Sequence, residues 1–425
     1  MERISQLAYE TGTTVVVEQC QICGNPQLEP ILFLGYLPPP NSMPMIGETL
    51  REERRYPTQL LYCPQCHLVQ IGCIVDPKII FPATYSYTSS TTKILRDNFA
   101  ELYQECKTIT PLGPNDLVVD IGSNDGNLLS NFKDQHRVLG ITPEEIGKLA
   151  IAKGIPTLID YFTRKVVSKV LREEGPAKII TATNVFAHIE NINEIVECIL
   201  ELLAEDGLFI SESHYLLSLI ETLQYDTIYH EHLRYYSLHS LKHVLEMHGL
   251  ELIHAKRIPT HGGSFRVYAA RPGTYVVRET VLKLLNEEKP IVTNKDKLHE
   301  FRERVVISKL ELQAMLLEMK KKRKRIYGIG AAARASTLLN YVGIDEGILD
   351  CVVEIKGSYK IGKYIAGTLI PVFEETRLFE DQPEYALLLS WHIADELAPK
   401  LKKNGFKGDF IIPLPTPRIL KNSEC

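Results

Sequence analysis

An apolar segment that runs into a glycine-bracketed turn constrains the fold of this 425-residue chain more than any other feature. Residues 117–121 read as a buried strand, and Gly122 and Gly126 enclose a turn before a helical pattern begins. This is how a doubly wound α/β sheet builds a nucleotide crevice, because free N–H groups and missing Cβ atoms let a ligand approach the main chain. The segment therefore predicts a Rossmann-like α/β domain.

The same turn carries acidic and amide side chains. Asp120 ends the strand, and Asn124 and Asp125 lie between the two glycines, so the spacing differs from the G-x-G-x-x-G of nicotinamide enzymes. Negative charge in the loop suits a cationic ligand without phosphates, which points to S-adenosylmethionine (SAM) before NAD. A strand–turn–helix that binds no ligand is the alternative interpretation.

Two Cys-x-x-Cys pairs predict a metal site. Cys20 and Cys23 form the first knuckle, and Cys63 and Cys66 form the second, with 39 residues between the pairs. Four thiolates fit tetrahedral Zn²⁺ and leave no open position, so the metal is expected to be structural. A disulfide framework and a thioredoxin-type redox pair are the weaker alternatives.

The composition excludes several classes of partner. Hydrophobic residues make up 44% and charged residues 24%, as in ordinary globular proteins, and the formal charge is −5. Such a charge gives no general attraction to nucleic acid or to an anionic membrane. Neither a long apolar window nor a signal-peptide pattern occurs, so we expect a cytoplasmic protein that binds neither membrane nor nucleic acid.

Alternating apolar strands and helical patterns extend over two regions after the cysteine pairs. The second region begins at 325–334, after a long predicted helix at 295–320, with another strand, glycine-rich turn and helix. The predicted strands are 117–121, 137–141, 178–182, 207–212, 250–256, 264–270, 349–353, 385–389 and 409–412. The chain is therefore expected to be α/β, with two nucleotide-type folds in series.

The segment 225–237 is unusually dense in titratable and phenolic side chains. The simplest interpretation is a general base, His232, with the phenol of Tyr229 and the carboxylate of Glu231 beside it. A zinc site from His230 and His232 is an alternative, although no third ligand is suitably spaced. Aromatic packing in the core is the other alternative.

In combination, these motifs resemble the SAM-dependent C-methyltransferases of deoxysugar biosynthesis, which act on nucleotide-linked keto sugars. The resemblance extends over nearly the whole chain. Besides the cysteine pairs and the 120–126 turn, it rests on residues 85–90, 184–189, 229–232, 261–264 and the C-terminal domain.

The resemblance implies three domains and a mechanism. It implies a small zinc-binding domain (1–84), a central class I methyltransferase domain with a Rossmann-like fold (85–299) and a Rossmann-like C-terminal domain (300–425) that helps to bind the sugar nucleotide. His232 would remove an α-proton to form an enolate, which then accepts the methyl group. Tyr229 and Glu231 would position the base or the sugar, and His188, at the end of a strand facing the crevice, is the alternative base.

The family motifs also imply binding residues. Those for SAM are Asp120, Gly122, Asn124, Asp125, Gly126, Thr142, Asn184 and Phe186. Those for the sugar nucleotide are Tyr85, Tyr87, Ser89, His261, Gly262, Gly263 and Arg334. A tight turn is an alternative explanation for the two glycines after His261.

Two positions depart from the family pattern. Thr142 stands where an acidic residue usually binds the ribose hydroxyls, and Glu144 or Glu145 is the alternative partner for that ribose. In the C-terminal domain, Arg334 replaces the usual lysine. Its guanidinium would bind a diphosphate through two N–H groups, so a nucleotide or sugar different from the family's usual one is expected there.

Other functions stay open at this point. They are an O- or N-methyltransferase, a C-methyltransferase acting on another keto acceptor, and a non-catalytic binding module. An RNA methyltransferase with a zinc ribbon is a weaker alternative, because the chain lacks a basic, aromatic surface. The expected state is a monomer or a weak homo-oligomer.

Overall fold

The computed structural model describes residues 14–49, 52–81, 90 and 92–424. Its N-terminal part is a small β-domain around the two cysteine knuckles. Its elements are β1 (Thr14–Val16), β2 (Glu29–Leu37), β3 (Tyr56–Tyr62), β4 (Val69–Ile71), β5 (Cys73–Val75) and α1 (Pro77–Ile80). Strands β2, β3 and β4 pair antiparallel, and β1 pairs with β5.

The central part alternates strands and helices as the sequence predicts. Its elements are α2 (Lys93–Ile109), β6 (Leu117–Ile121), β7 (Arg137–Thr142), α3 (Gly147–Ala152), β8 (Thr157–Ile159), α4 (Arg164–Glu173), β9 (Ala177–Thr183), α5 (Ile192–Leu202), β10 (Leu203–His214), α6 (Leu216–Glu221), β11 (Arg234–Tyr235), α7 (Leu238–Met247), β12 (Glu251–Ile258) and β13 (Ser264–Ala270).

The central sheet has seven strands in the order β12-β13-β10-β9-β6-β7-β8. The five strands from β10 to β8 are parallel, whereas β13 runs antiparallel to both of its neighbours. Every residue of β6 is buried, which explains its continuous apolar run. The strand order reverses beside β6, and ligands of such sheets bind at the carboxyl ends of the strands near this point.

Strand β11 joins two domains. It lies in the acid- and histidine-rich segment of the central domain, yet it pairs with β4 and extends the sheet of the N-terminal domain. Arg234 pairs with Gln70, and Tyr235 pairs with Val69. The segment around His232 is therefore fixed by main-chain hydrogen bonds to the cysteine-rich domain.

Two long helices connect the central and C-terminal sheets, and a second doubly wound sheet follows. The elements are α8 (Glu279–Val292), α9 (Lys295–Lys321), β14 (Ile326–Ile329), α10 (Ala333–Val342), β15 (Cys351–Glu354), β16 (Val372–Glu374), α11 (Thr376–Asp381), β17 (Tyr385–Leu388), α12 (Ala394–Lys403), β18 (Asp409–Ile412) and β19 (Arg418–Leu420). The strand order is β16-β15-β14-β17-β18-β19, with only β19 antiparallel among these strands.

The predicted fold class is confirmed, and the nine strands with predicted ranges and the strand that opens the second region are all present, with small shifts at their ends. One detail is wrong: His188 does not end a strand, because β9 stops at Thr183 and His188 follows in a loop. The predicted domain boundaries at 84 and 299 stay predictions, since residue 84 lies outside the described residues and 299 lies within α9. Among the described residues, no helix combines the length and apolar character that crossing a bilayer requires.

Candidate active site and zinc centre

The two cysteine knuckles bring four sulfur atoms together. The Sγ atoms of Cys20 and Cys66 are 3.4 Å apart, and those of Cys23 and Cys63 are 3.6 Å apart. All four lie within 4.8 Å of one another. Because a tetrahedral zinc ion with Zn–S bonds of about 2.3 Å separates its ligand sulfurs by nearly 4 Å, the four cysteines fit Zn²⁺ after a small expansion.

The turn after β6 has the backbone shape of a ligand crevice. Gly122 has a φ of 72°, and a Cβ atom there would lie 2.5 Å from the side chain of Val185. Asn124 is also left-handed, with a φ of 50°. The turn therefore depends on residues that tolerate positive φ, and a side chain at position 122 would collide with the loop after β9.

The two acidic residues of this turn are buried and paired within the protein. Thr181 donates a hydrogen bond of 2.6 Å from its hydroxyl to Asp120, and burial raises the pKa of Asp120 to about 7. The carboxylate of Asp125 has no exposed surface and accepts a 3.0 Å ion pair from Lys153. Because both carboxyl groups already have partners, the loop presents less negative charge to a ligand than the sequence indicates.

Polar atoms without partners collect at the carboxyl ends of the parallel strands. The buried hydroxyls of Ser123 and Ser213 and the Nδ1 atoms of His188 and His214 make no hydrogen bond among the described residues. They follow or end β6, β9 and β10, where a doubly wound sheet binds its ligand. Since buried polar atoms are normally satisfied, this cluster fits a polar ligand such as SAM.

The remaining predicted SAM residues lie around this crevice in different ways. Asn184 has a φ of 57° and donates its N–H to the carbonyl of Glu212. Thr142 ends β7 and is buried. The ring of Phe186 is buried against Phe209, with 5.6 Å between the ring centroids. Their contacts with SAM stay predictions.

Of the two glutamates near Thr142, one is on the surface and one is partly buried. Glu145 pairs with Lys148, and both side chains are largely exposed. Glu144 is partly buried, and burial raises the pKa of its carboxyl group. Its position two residues beyond Thr142 makes Glu144 the better candidate for a ribose contact.

His232 lies at the centre of a group of aromatic and imidazole rings. Its ring centroid is 5.0 Å from that of His188, 6.0 Å from that of His214 and 4.3 Å from that of Tyr229. Its Nδ1 atom lies 2.9 Å from the carbonyl oxygen of Thr227, so Nδ1 carries the proton and donates it. This tautomer leaves a lone pair on Nε2, as a general base requires.

The histidines of this group are neutral at physiological pH. Burial lowers the pKa of His188 to about 4 and that of His214 to about 3, and neighbouring imidazoles add to the effect at His214. Burial also lowers the pKa of His232 well below its usual value. The site therefore holds unprotonated imidazoles over the range in which most enzymes operate.

Glu231 interacts with residues of two other domains. Asn41, in the proline-rich loop of the N-terminal domain, donates a 2.8 Å hydrogen bond to its carboxylate. Burial raises the pKa of Glu231 to about 8, and the charge of Lys360 in the C-terminal domain opposes this rise. Lys360 itself donates a 2.6 Å hydrogen bond to the carbonyl of Ala331. Glu231 thus lies where three domains meet.

The turn that carries His261 packs against its neighbours closely. His261 has a φ of 55°, and its carbonyl lies 2.8 Å from Nε2 of His214. A Cβ atom at Gly262 would lie 2.7 Å from the side chain of Gln224, and one at Gly263 would lie 2.6 Å from that of Ser218. Packing of the turn accounts for both glycines, and their contact with substrate stays a prediction.

Arg334 is buried against the central domain. Its guanidinium donates to both carboxylate oxygens of Asp226, at 2.8 and 3.0 Å, and to Nδ1 of His392 at 2.7 Å. Trp391 donates a further hydrogen bond of 2.8 Å to Asp226. The positive charge predicted to face a diphosphate is therefore paired with a carboxylate, and the arrangement links the two α/β domains.

The link between Asp226 and Arg334 predicts a large effect on stability. Asp226→Asn leaves a buried guanidinium without its counter-charge, so the free energy of unfolding is expected to fall by about 3 kcal/mol. Thermal and urea denaturation measure this change. Glu221→Gln, which removes an exposed partner of Arg257, is the control and is expected to change stability by less than about 1 kcal/mol. Equal effects of the two substitutions would contradict the prediction.

Several residues of this site were missing from the sequence-based prediction. They are His214, Asn41, Asp226 and Lys360, which come from separate elements. Asp226 lay in the segment predicted to hold the base, and Asn41 lay in a proline-rich segment predicted only to be a rigid loop. Tyr85, Tyr87 and Ser89, predicted to contact the sugar, lie outside the described residues.

Comparisons with known proteins agree with this architecture. Three family models match consecutive parts of the chain: a zinc-binding domain at residues 20–81, a methyltransferase domain at 93–255 and a C-methyltransferase C-terminal domain at 259–415. The C-methyltransferase NovU of Streptomyces niveus is 30% identical over 417 residues, which cover 95% of this chain and 97% of NovU.

Two similar solved structures each cover less than half of this chain. The magnesium protoporphyrin IX methyltransferase of Synechocystis PCC 6803 with bound SAM is 14% identical, with a TM-score of 0.31 over 41% of this chain and 77% of that chain. The PH0226 protein of Pyrococcus horikoshii OT3 is 12% identical, with a TM-score of 0.35 over 44% of this chain and 95% of that chain. On the match to NovU along nearly its whole length, together with the three family models, the chain belongs to the C-methyltransferase family and is a SAM-dependent enzyme with a zinc-binding N-terminal domain.

Proposed function

We propose that this C-methyltransferase acts on a nucleotide-linked keto-deoxysugar, with dTDP as the expected nucleotide. The observation that carries the proposal is His232, a neutral imidazole with a free Nε2 lone pair beside the SAM crevice. Methylation of carbon requires a carbanion, and a carbonyl next to the reacting carbon makes its proton removable. A base of this kind is what such an acceptor needs.

The chain's own residues supply the steps around the methyl transfer. SAM, once bound, would supply a methyl group on a positively charged sulfur, and neutral S-adenosylhomocysteine would be the leaving group. His232 takes the α-proton on Nε2, and the electrons of the C–H bond form the enolate, whose carbon then accepts the methyl group. The carbonyl of Thr227 fixes the tautomer of His232, and the ring of Tyr229 packs beside its imidazole. Such fixed positioning contributes up to about 7–11 kcal/mol in model reactions.

Because the pKa of His232 is low, the site must also provide hydrogen-bond donors to the substrate carbonyl. A base that stays neutral is ready at neutral pH, but its affinity for a proton is weak. The substrate carbonyl must therefore be polarised by hydrogen-bond donors, and we propose the hydroxyl of Tyr229 for this role. His188, whose Nδ1 is unpartnered among the described residues, is the alternative base.

The C-terminal domain supports a nucleotide-linked acceptor. Its glycine-rich turn directly follows β14. At this strand the order of the second doubly wound sheet reverses. Lys360 lies against this turn through its bond to Ala331, so we propose Lys360 as the cation that meets the diphosphate, while Arg334 holds the domains together. The sugar would then lie between this turn and His232.

The proposal is tested by incubating the purified protein with SAM and a panel of nucleotide-linked keto sugars. Titration calorimetry with SAM and S-adenosylhomocysteine, and zinc determination on the same sample, come first. We expect a product that is heavier by one methyl group and has a new carbon–methyl bond in its NMR spectrum. The matched control is the reduced sugar nucleotide, which lacks the acidic proton. A methyl group on oxygen or nitrogen, or no transfer to any keto sugar by protein that binds SAM, would contradict the proposal.

Glu231 predicts a dependence of stability on pH. Its pKa of about 8 is raised in the folded state, so its contribution is present at low pH and is lost as the pH rises through that value. Glu231→Gln keeps the carboxyl neutral and is expected to be more stable than wild type at pH 9 by about 1–3 kcal/mol, with a smaller difference at pH 6. Denaturation at the two pH values measures this. Glu174→Gln, at an exposed pair with Arg137, is the control, and a pH-independent effect of Glu231→Gln would contradict the prediction.

We also propose the cytoplasm as the compartment, because a site of four thiolates requires reduced cysteines. A monomer or a weak homo-oligomer is the proposed state in solution, which light scattering coupled to size-exclusion chromatography measures directly.

A further inference from the structure

An open cavity of about 310 Å³ lies between the zinc-binding domain and helix α7. We call it the knuckle cavity because one wall is the second cysteine knuckle. That wall contains Cys66 and His67, and the opposite wall contains His239, Lys242 and His243 of α7. Three imidazoles from two domains therefore face one space.

Two of these imidazoles are each oriented by a hydrogen bond at their own Nδ1 atom. Nδ1 of His67 lies 2.6 Å from the hydroxyl of Tyr62, and Nδ1 of His239 lies 2.5 Å from a carboxylate oxygen of Glu288. The side chain of Glu288 is fully buried and also accepts two main-chain N–H groups at the start of α7. Histidines that bind metals are typically held in this way, with one ring nitrogen bonded to a fixed partner and the other directed at the ion.

The spacing of the rings is close to that of a shared ion. The centroids of His67 and His239 are 6.0 Å apart, with their planes at 87°. Two imidazoles on one tetrahedral ion, with metal–nitrogen bonds of about 2.1 Å, have centroids about 5 Å apart. His243 lies four residues after His239 on the same helix, so both project from one face of α7. Among the described residues only the four cysteines hold at least three ligand atoms within 4.8 Å of one another, so the three imidazoles must move towards each other to share an ion.

We propose that the knuckle cavity binds a second divalent transition-metal ion through His67, His239 and His243, separate from the zinc of the four cysteines. Imidazole ligands suit Zn²⁺, Ni²⁺ and Cu²⁺. Since His67 belongs to the zinc-binding domain and the other two ligands to the methyltransferase domain, a bound ion fastens these domains together. The ion is expected to stabilise the folded protein by an amount that grows with the logarithm of its concentration once this exceeds the dissociation constant.

The test uses full-length, tag-free protein whose four cysteines are loaded with zinc. Ni²⁺ is added in titration calorimetry, and total Zn and Ni are determined after dialysis. We expect one Ni²⁺ per chain with the original zinc retained, and a melting temperature that rises by a few degrees at saturation. Nickel uptake only in exchange for zinc, or no nickel uptake, would overturn the proposal.

Variants distinguish the proposed ligands from surface histidines. His243→Ala is the main variant, because His243 is partly exposed and lies outside the buried Glu288 network; Ni²⁺ binding is expected to weaken at least 10-fold. Tyr62→Phe keeps the His67 ring but removes its orienting bond, with an expected loss of about 10-fold. His299→Ala, on helix α9, is the matched control and is expected to bind as wild type does. Equal binding by His243→Ala and His299→Ala would refute the site even if wild type binds nickel.

Discussion

Replacing His232 by alanine is expected to lower kcat by about 10²–10⁴-fold, the contribution typical of a general base. The affinity for SAM is expected to stay near that of wild type, because among the described residues His232 contacts the carbonyl of Thr227 and neighbouring aromatic and imidazole rings, not the turn after β6. The substrate should also stop exchanging its α-proton with solvent deuterium. A steady-state methyl-transfer assay measures kcat, titration calorimetry measures the affinity for SAM, and NMR of the keto sugar in deuterated buffer measures the exchange.

Two variants accompany this experiment. His232→Gln keeps a polar side chain but cannot take a proton, so it should lose as much activity as the alanine variant. His248→Ala removes a histidine at the C-terminal end of α7 that is hydrogen-bonded to Asn193. This variant should keep its activity. Deuterium exchange that persists in His232→Ala would reassign the base to His188 or Tyr229.

Removing the zinc ion is expected to have the largest effect on stability. Structural zinc contributes about 10–16 kcal/mol to the folding of zinc-finger peptides at neutral pH, and the N-terminal β-domain is small enough to depend on it. Cys66→Ala should therefore bind no zinc and should unfold its N-terminal domain at a much lower temperature. Metal analysis and differential scanning calorimetry measure these effects.

The zinc variant should also lose methyl transfer, although the crevice after β6 is distant from the cysteines in sequence. The reason is that Asn41 donates a hydrogen bond to Glu231 and that β4 pairs with β11, so the position of the segment around His232 depends on the zinc-binding domain. Cys73→Ala is the matched control, because Cys73 is a buried cysteine of the same domain outside the metal site. Full activity of zinc-free Cys66→Ala would contradict this coupling.

Local patterns in the sequence were sufficient to predict the fold. Strand β6 is a run of residues that are all buried, and a buried parallel strand followed by a glycine turn has few alternative structures. The spacing of each cysteine pair likewise predicts its geometry, since each knuckle directs two sulfurs to one point. In both cases the signal lies within a few neighbouring residues.

The candidate site was less predictable because its partners are far apart in the chain. Asn41 and Glu231 are 190 residues apart, and Arg334 and Asp226 are 108 apart. Nothing near Arg334 in the sequence reveals that a buried aspartate takes its charge. His214 was overlooked because a single histidine at the end of a strand has no spacing pattern, and only the tertiary structure places its ring 6.0 Å from that of His232.

The pairing of β11 with β4 limits how this enzyme can be rearranged. A two-residue strand of one domain completes the sheet of another, so the boundary between them is a shared surface and not a linker. A hybrid enzyme that takes its N-terminal domain from a relative must also take residues 225–236 from that relative. Otherwise β4 of the new domain will face a β11 strand whose residues do not match it. We therefore expect the acceptor specificity of such a hybrid to follow the relative only when the N-terminal domain and residues 225–236 are transferred together.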